Sequence, residues 1–312
     1  MTGLPWSTAL VGLATPMADE GLLARALEGI AKLVVPARVS IGFALAPIGE
    51  DRPLSSILRE AIEAVPFPVE RLPASADMAA ARNAVLDLAA RERAQIVGLL
   101  DDSLAPDPRF LKDALAVMAQ YDVPVVVGRA RPRERADWPR WTARSPLLAR
   151  DEPELSFGGH GEARLLVLDR EAVEAAGVRF APKFARAGLS GRAFLAELER
   201  REAPILHCGA ATAECAVPQE RLTLRGEARA LARERAFAVA LEARGRGLLA
   251  TLWRRLLPAL GASLCGLAAR PAAGLFGDRG RIAARRLAGA FPATLAGLTG
   301  LLPRRAEELA EE

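Results

Sequence analysis

The residues best placed to do chemistry are Asp101 and Asp102, in the stretch Leu99-Leu100-Asp101-Asp102-Ser103-Leu104-Ala105-Pro106-Asp107-Pro108. An apolar run, Ile96 to Leu100, ends abruptly in the two carboxylates, and a Pro-Asp-Pro helix start follows. Paired carboxylates at the C-terminal tip of a buried strand are where an open α/β sheet holds a metal-bound phosphate ligand. The structural alternative is that they solvate the strand end and cap the helix that starts near Pro108. The third residue of the cluster, Ser103, adds a hydroxyl but no charge.

A strand tip needs a sheet behind it. Residues 7 to about 128 alternate short apolar runs with helical patterns. The runs predict strands at Thr8–Ala14, Val39–Leu45, Val69–Leu72, Ile96–Leu100 and Val123–Val127, with helices near 20–33, 53–64, 77–91 and 108–120 between them. Such alternation implies βαβ units and a mainly parallel sheet covered on both faces. The helix at 77–91 is the clearest: Asp77 can cap it, and Ala81, Val85, Leu86 and Ala89 form an apolar face. From Gly128 to Gly161, Arg, Pro and Trp cluster and periodicity fades, which predicts a loop-rich excursion returning at Leu165–Leu168. A helix at 189–202 and a strand at Pro204–Gly209 complete this part.

With 312 residues, 51% of them hydrophobic but only 5% aromatic, the chain must build its core from Ala, Leu and Val. The net charge of +4 is carried almost wholly by arginine; Lys32, Lys112 and Lys183 are the only lysines, a bias expected of a GC-rich gene. Aromatics are not interleaved with the arginines, and no helix-turn-helix, zinc-finger or RNP-type pattern occurs, so nucleic acid is not an expected partner. Cys208, Cys215 and Cys265 are too few for a disulfide scaffold; the first two read as small core residues. With only His160 and His207, a zinc site is not expected. The N-terminus lacks a charged n-region and a cleavage site, and Ala9–Ala14 reads as a first strand, so the expected location is cytoplasmic.

Past Pro218 the chain becomes helical and basic, with Arg221, Arg225, Arg229, Arg233 and Arg235 recurring. Two apolar blocks follow, Leu256–Ala269 and Leu287–Leu302. Each is shorter than the roughly 18–20 residues that span a bilayer. Arg254 and Arg255 precede the first; Arg281, Arg285 and Arg286 precede the second; Arg304 and Arg305 follow it. Such blocks suit helices lying in a membrane interface, which places a membrane surface against 246–305. The other reading is a helical hairpin packed on the core or on a second subunit of an oligomer. Glu307–Glu312 reads as a solvated helix end.

Four segments, in this order, resemble the motifs of the family-2 glycosyltransferases, which have a GT-A fold, and in particular bacterial exopolysaccharide enzymes of the succinoglycan type. Glu20-Gly-Leu-Leu-Ala-Arg-Ala-Leu-Glu-Gly-Ile is similar to the helix after the nucleotide-binding strand. Ala79-Ala-Ala-Arg82-Asn83-Ala-Val-Leu resembles "AxxARNxAL", and Leu100 to Leu111 resembles "DDDxxPxPxWL". Glu214-Cys-Ala-Val-Pro-Gln-Glu-Arg221-Leu-Thr-Leu-Arg225 is similar to "ExVPxxRxxxxxLxxR". The likeness covers roughly residues 7–240. It implies an α/β GT-A domain, Rossmann-like, with a mainly parallel sheet flanked by helices over 1–220, and a basic amphipathic helical tail over 221–312. It also implies a nucleotide-sugar bound by Asp101, Asp102, Arg82, Asn83 and Arg221, and a divalent metal, Mn²⁺ or Mg²⁺, on Asp101, Asp102 and Ser103; the residues themselves favour a structural role for Arg82 and Asn83, tying their helix to a loop, and Arg221 could equally pair with Glu214. The acceptor would be lipid-linked, in polysaccharide synthesis on the inner face of the bacterial plasma membrane.

A pyrophosphate leaving group needs a cation to absorb developing charge, and a sugar hydroxyl needs a proton acceptor within reach. The polar positions of the resemblance are depleted of both. Thr15-Pro16-Met17-Ala18 stands where "PTxxR" is usual, and Phe43-Ala44-Leu45-Ala46-Pro47 lacks the base-binding Asp. Ser103 replaces the usual third Asp, and the Glu-Asp pair that supplies the base maps onto Ser190-Gly191. Asp151, Glu152, Glu154 or Glu162, or His160 between two glycines, could stand in for that base. Two readings follow: a glycosyltransferase, or a non-catalytic homologue acting as a membrane-associated binding or assembly subunit.

Overall fold

The computed structural model describes residues 4–133, 138–145, 155–158, 163–184, 190–246, 251, 254–255, 257–273, 277–290 and 293–294. His160, Asp151, Glu152, Glu154, Glu162 and the Glu307–Glu312 tail lie outside them. Chain packing divides into two units, one formed by 1–133 with 152–216 and the other by 134–151 with 217–312.

In the first unit, strands β1 (Thr8–Thr15), β2 (Ser40–Pro47), β3 (Val69–Arg71) and β4 (Ile96–Asp101) alternate with helices α1 (Glu20–Ala31), α2 (Ser56–Glu63) and α3 (Met78–Arg91). These strands run parallel, as the alternating pattern predicts, and lie in the order β3-β2-β1-β4. Their helices start where side chains satisfy the first free amides: Asp19 accepts from Leu22 N, Ser55 from Leu58 N and Asp77 from Ala80 N. Next come β5 (Leu104–Pro106), α4 (Phe110–Tyr121), β6 (Val125–Pro132), β7 (Leu155–Phe157), β8 (Leu166–Asp169), α5 (Arg170–Ala175), α6 (Ser190–Arg200) and β9 (Ile205–Cys215).

Beyond β4 the sheet becomes mixed. Strand β8 is antiparallel to both β4 and β6, β9 is parallel to β6, and β5 and β7 pair antiparallel with β9. The strand β6 also runs on to Pro132, where fading periodicity predicts a loop from Gly128. The ladder continues because Arg129–Pro132 pair with Thr212–Cys215 after a register shift, and their half-exposed side chains leave no apolar signature. A Cβ on Gly128 would lie 2.6 Å from the Ala211 carbonyl oxygen, so the shift is built on a residue without one.

Helix α3 lies unusually close to β1, because a Cβ on Gly12 would collide with the methyl groups of Val85. The buried face of α3 carries Ala79, Ala81, Val85, Leu86, Leu88 and Ala89, and among them one charged side chain, Arg82. Arg82 precedes Val85 by one helical turn and shares its face, so the close approach of helix to sheet presses a guanidinium toward the strand tips. Beneath it the rings of Phe180 and Phe194 stack at 4.0 Å, both 1% exposed. Cys208 and Cys215 are buried in β9, as core residues.

The second unit holds α7 (Leu224–Arg246), capped by Thr223, whose hydroxyl accepts from Gly226 N at 2.9 Å, and helices α8 (Leu257–Ala273) and α9 (Gly277–Ala288). Small residues bring α8 and α9 together: the Ser263 hydroxyl donates to the Ala288 carbonyl at 3.0 Å, and a Cβ on Gly266 would lie 2.7 Å from the Ala284 oxygen. Another face of α8 is apolar and open, with Leu260 41%, Leu264 60% and Leu267 49% exposed. Among the described residues no helix is long and apolar enough to cross a membrane.

Phe194→Ala is expected to lower stability by about 3–5 kcal/mol through lost burial and a residual cavity. Leu264→Ala, on the open face, should stay within about 0.5 kcal/mol of wild type. Urea denaturation followed by tryptophan fluorescence and circular dichroism checks both.

Candidate functional site

Two neighbouring parallel strands, β1 and β4, end in polar residues at the same edge of the sheet. Asp101 is the last residue of β4 and stands beside Ala14 of β1. The buried Thr15 donates its hydroxyl hydrogen to Asp102 Oδ2 at 2.7 Å, and its oxygen accepts from Met17 N at 2.8 Å. Met17 takes a left-handed backbone conformation, φ 53°, which turns the chain sharply away from the tip. The capping alternative for the acidic pair does not hold, because α4 has no side-chain cap and it is Asp107 that receives the Arg109 amide, at 2.9 Å.

The partner that sequence reasoning missed is Arg164. Its Nε donates to Asp101 Oδ2 at 3.0 Å and its Nη2 to Asp101 Oδ1 at 3.3 Å, a forked pair. Ser103 closes the group: its hydroxyl donates to Asp101 Oδ1 and its oxygen accepts from Arg164 Nη2. The Ser103 amide also donates to Asp101 Oδ1, at 3.2 Å. Side-chain exposure is 26% for Arg164 and 14% for Asp101, so the pair is largely shielded yet touches solvent. Arg164 precedes β8 in a segment with no periodicity, 63 residues from Asp101, and no local signal marks it.

Arg82, Ser190 and Gly191 gather at the same place. Arg82 is 4% exposed, its guanidinium lies 5.4 Å from the Phe180 ring centroid, and its Nε has no hydrogen-bond partner. Ser190 and Gly191 open α6 and are both buried. A Cβ on Gly191 would lie 2.5 Å from the Ala163 carbonyl oxygen and 2.9 Å from Arg82 Nη1. Of the two positions to which the resemblance assigns the Glu-Asp pair, Gly191 therefore has no room for a side chain, and Ser190 carries a short uncharged one. Asn83 fixes backbone instead, since its amide donates to the Phe180 carbonyl at 2.9 Å and accepts from the Phe180 amide at 3.0 Å, tying α3 to the following loop. Arg221 belongs to the second unit, where its Nε is buried without a hydrogen-bond partner.

Electrostatics follow from this packing. Burial by itself would raise the Asp101 carboxyl, but the charge and hydrogen bonds of Arg164, the Ser103 hydroxyl and the charge of Arg82 outweigh it and hold the group below the usual carboxylate range. Burial lowers the Arg82 guanidinium from its ordinary value; Asp101 opposes the shift and the like charge of Arg164 adds to it. A carboxylate held this firmly ionised is a poor general base near neutral pH. The donor set also does not fit a divalent cation. Both Asp101 oxygens face a guanidinium, and Ser103 spends its proton on Asp101 and its oxygen on Arg164. Among the described residues no three His, Cys, Asp or Glu side chains gather as metal ligands. What the cluster offers instead is two positive and two negative groups at a strand tip, suited to holding a polyanion by charge and hydrogen bonding.

Asp101→Asn is expected to cost roughly 3 kcal/mol at neutral pH, because it removes the carboxylate that pairs with the shielded Arg164 and offsets the charge of Arg82. The depressed Asp101 contributes stability that is complete above the usual carboxylate pKa of about 4 and is lost as pH falls through its lower folded value. The variant should therefore lose part of the acid-side decline, measured as denaturation midpoint against pH.

No protein-family model matches the sequence, and no characterised protein matches it at the sequence level. Among solved structures the chain is similar to the mannosyltransferase PcManGT from Pyrobaculum calidifontis, in complex with GDP-Man and Mn²⁺, at 17% identity over 94% of this chain and 90% of that one, with a TM-score of 0.60. It is similar to residues 1–349 of TarS from S. aureus at 12% identity, 94% and 92% coverage and a TM-score of 0.51. GalNAc-T7, solved with UDP, GalNAc and Mn²⁺, matches at 14% identity over 73% of this chain with a TM-score of 0.52. The chain spans 42% of the longer TarS chain and 48% of GalNAc-T7. At these identities the likeness is one of fold. The nine-stranded sheet with its flanking helices is the GT-A fold of the glycosyltransferases, as the order of sequence motifs predicts.

Proposed function

We propose that this chain is a glycosyltransferase-like protein of the family-2 type that binds a nucleotide-sugar across the tips of β1 and β4. The observation that carries the reading is the cluster of Thr15, Asp101, Asp102, Ser103 and Arg164 at that edge, in a fold shared with proteins solved holding GDP-Man or UDP. Arg82 contributes charge to the same group, and Asn83 acts by fixing the loop beneath it. Arg221 is assigned to the donor on its motif alone.

The acceptor side rests on the second unit. Leu260, Leu264 and Leu267 make an open apolar stripe at spacings of four and three on α8, and Arg255, Arg270, Arg281 and Arg285 are exposed on or next to α8 and α9 in the chain. An apolar face bordered by arginine suits an anionic bilayer surface. This supports a protein attached to the cytoplasmic face of a bacterial plasma membrane, taking a lipid-linked acceptor in surface or extracellular polysaccharide synthesis. A non-catalytic homologue with the same ligand is a second reading, favoured by one observation: the closed position at Gly191, which leaves no space for a helix-start base.

Nucleotide-sugar binding should raise the melting temperature of the full chain in a thermal-shift screen of UDP- and GDP-sugars; no shift with any of them overturns the reading. Release of free nucleotide on incubation with the bound sugar separates the enzyme from the non-catalytic homologue. In flotation with vesicles containing phosphatidylglycerol, wild type should rise with the lipid, Leu264→Glu should stay behind, and both should ignore pure phosphatidylcholine.

A further inference from the structure

We infer that the diphosphate of the bound nucleotide is charge-balanced in this protein by the guanidinium groups of Arg164 and Arg82, without a divalent cation. The inference rests on the nucleotide-sugar reading and concerns how that same site works. Its first support is the geometry at Asp101. A metal bound at a pair of strand-tip carboxylates takes lone pairs from them. Here the forked Arg164 contacts, at 3.0 and 3.3 Å, occupy one lone pair on each Asp101 oxygen, and the Ser103 hydroxyl and amide crowd Oδ1 further.

The second support is Ser103. It gives a proton to Asp101 and receives one from Arg164. An aspartate at this position, with no proton to give, could accept from Arg164 but not donate to Asp101. The serine thus suits an arginine site and would be a weak member of a metal site.

The third support is charge. A divalent cation on two carboxylates sums to zero, and so do Arg164 and Arg82 with Asp101 and Asp102. Arg82 is 4% exposed and leaves Nε without a hydrogen-bond partner, so it acts as a fixed positive charge in a shielded setting, where such charge acts most strongly. Positioned arginines can stabilise a diphosphate leaving group as a metal does, by meeting negative charge as it develops on the oxygens. The part-open Arg164 is the group that meets the phosphate; Arg82 holds the field behind it.

Calorimetric titration of the full chain with UDP and with GDP, once in EDTA and once with Mn²⁺, tests this. The expected result is the same affinity in both buffers, weakened about tenfold or more in Arg164→Met. Arg164→Lys, which keeps the charge but loses the fork, should fall between the two and also ignore Mn²⁺. Binding that appears only with Mn²⁺ overturns the inference and leaves the nucleotide-sugar reading standing. Absence of binding in both buffers removes that reading and the inference with it. The wild-type comparison needs no substitution, so the outcome does not depend on whether Arg164→Met folds.

Discussion

The polar edge of this sheet depends on one ion pair, Arg164 on Asp101. Bringing a carboxylate and a guanidinium into a shielded position costs several kcal/mol of desolvation for each. That cost is offset only where geometry is good and the remaining lone pairs are occupied. Here the fork supplies the geometry, and the Ser103 hydroxyl and amide both donate to Asp101 Oδ1. Apolar side chains of similar volume would often be as stable at such a place. Stability alone therefore gives no reason for the pair.

Small residues make the pair possible. Gly12 lets α3 settle onto β1 until Val85 touches the sheet, and that approach carries Arg82 to the strand tips. Gly191 lets the start of α6 press against Ala163, beside the residue that pairs with Asp101. Asn83 locks the backbone of Phe180, whose ring lies under Arg82 and stacks on Phe194. These contacts brace the charged groups on packed helices and strands, so their positions are fixed by the core. The same packing leaves no space for a side chain at Gly191, the second residue of α6.

Arginine serves two purposes in this chain. Arg164 in the first unit is shielded, forked and paired, whereas Arg255, Arg270, Arg281 and Arg285 in the second stand exposed on or next to helices with open leucines. The composition alone favours neither use, because a guanidinium carries the same charge in both. Surroundings decide: low exposure and a carboxylate partner in one case, open leucines in the other.

Much of the fold was legible in the residues because it rests on local periodicity. The apolar runs of β1, β2 and β4, the capped α3 and the acidic strand end can be read within windows of about a dozen residues. Strands of three residues, such as β5 and β7, are too short for any period, and β6 past Gly128 pairs through backbone while its side chains stay half exposed. The sequence by itself determined the parallel half of the sheet, the place of Asp101 and Asp102 at its edge, and the loss of charge at Ser103 and Gly191. Only the tertiary structure decided what faces Asp101, because Arg164 reaches it across 63 residues through the reversed strand β8. Pairing across that distance depends on the register of neighbouring strands and the depth of helix packing, and neither leaves a mark in local residue order.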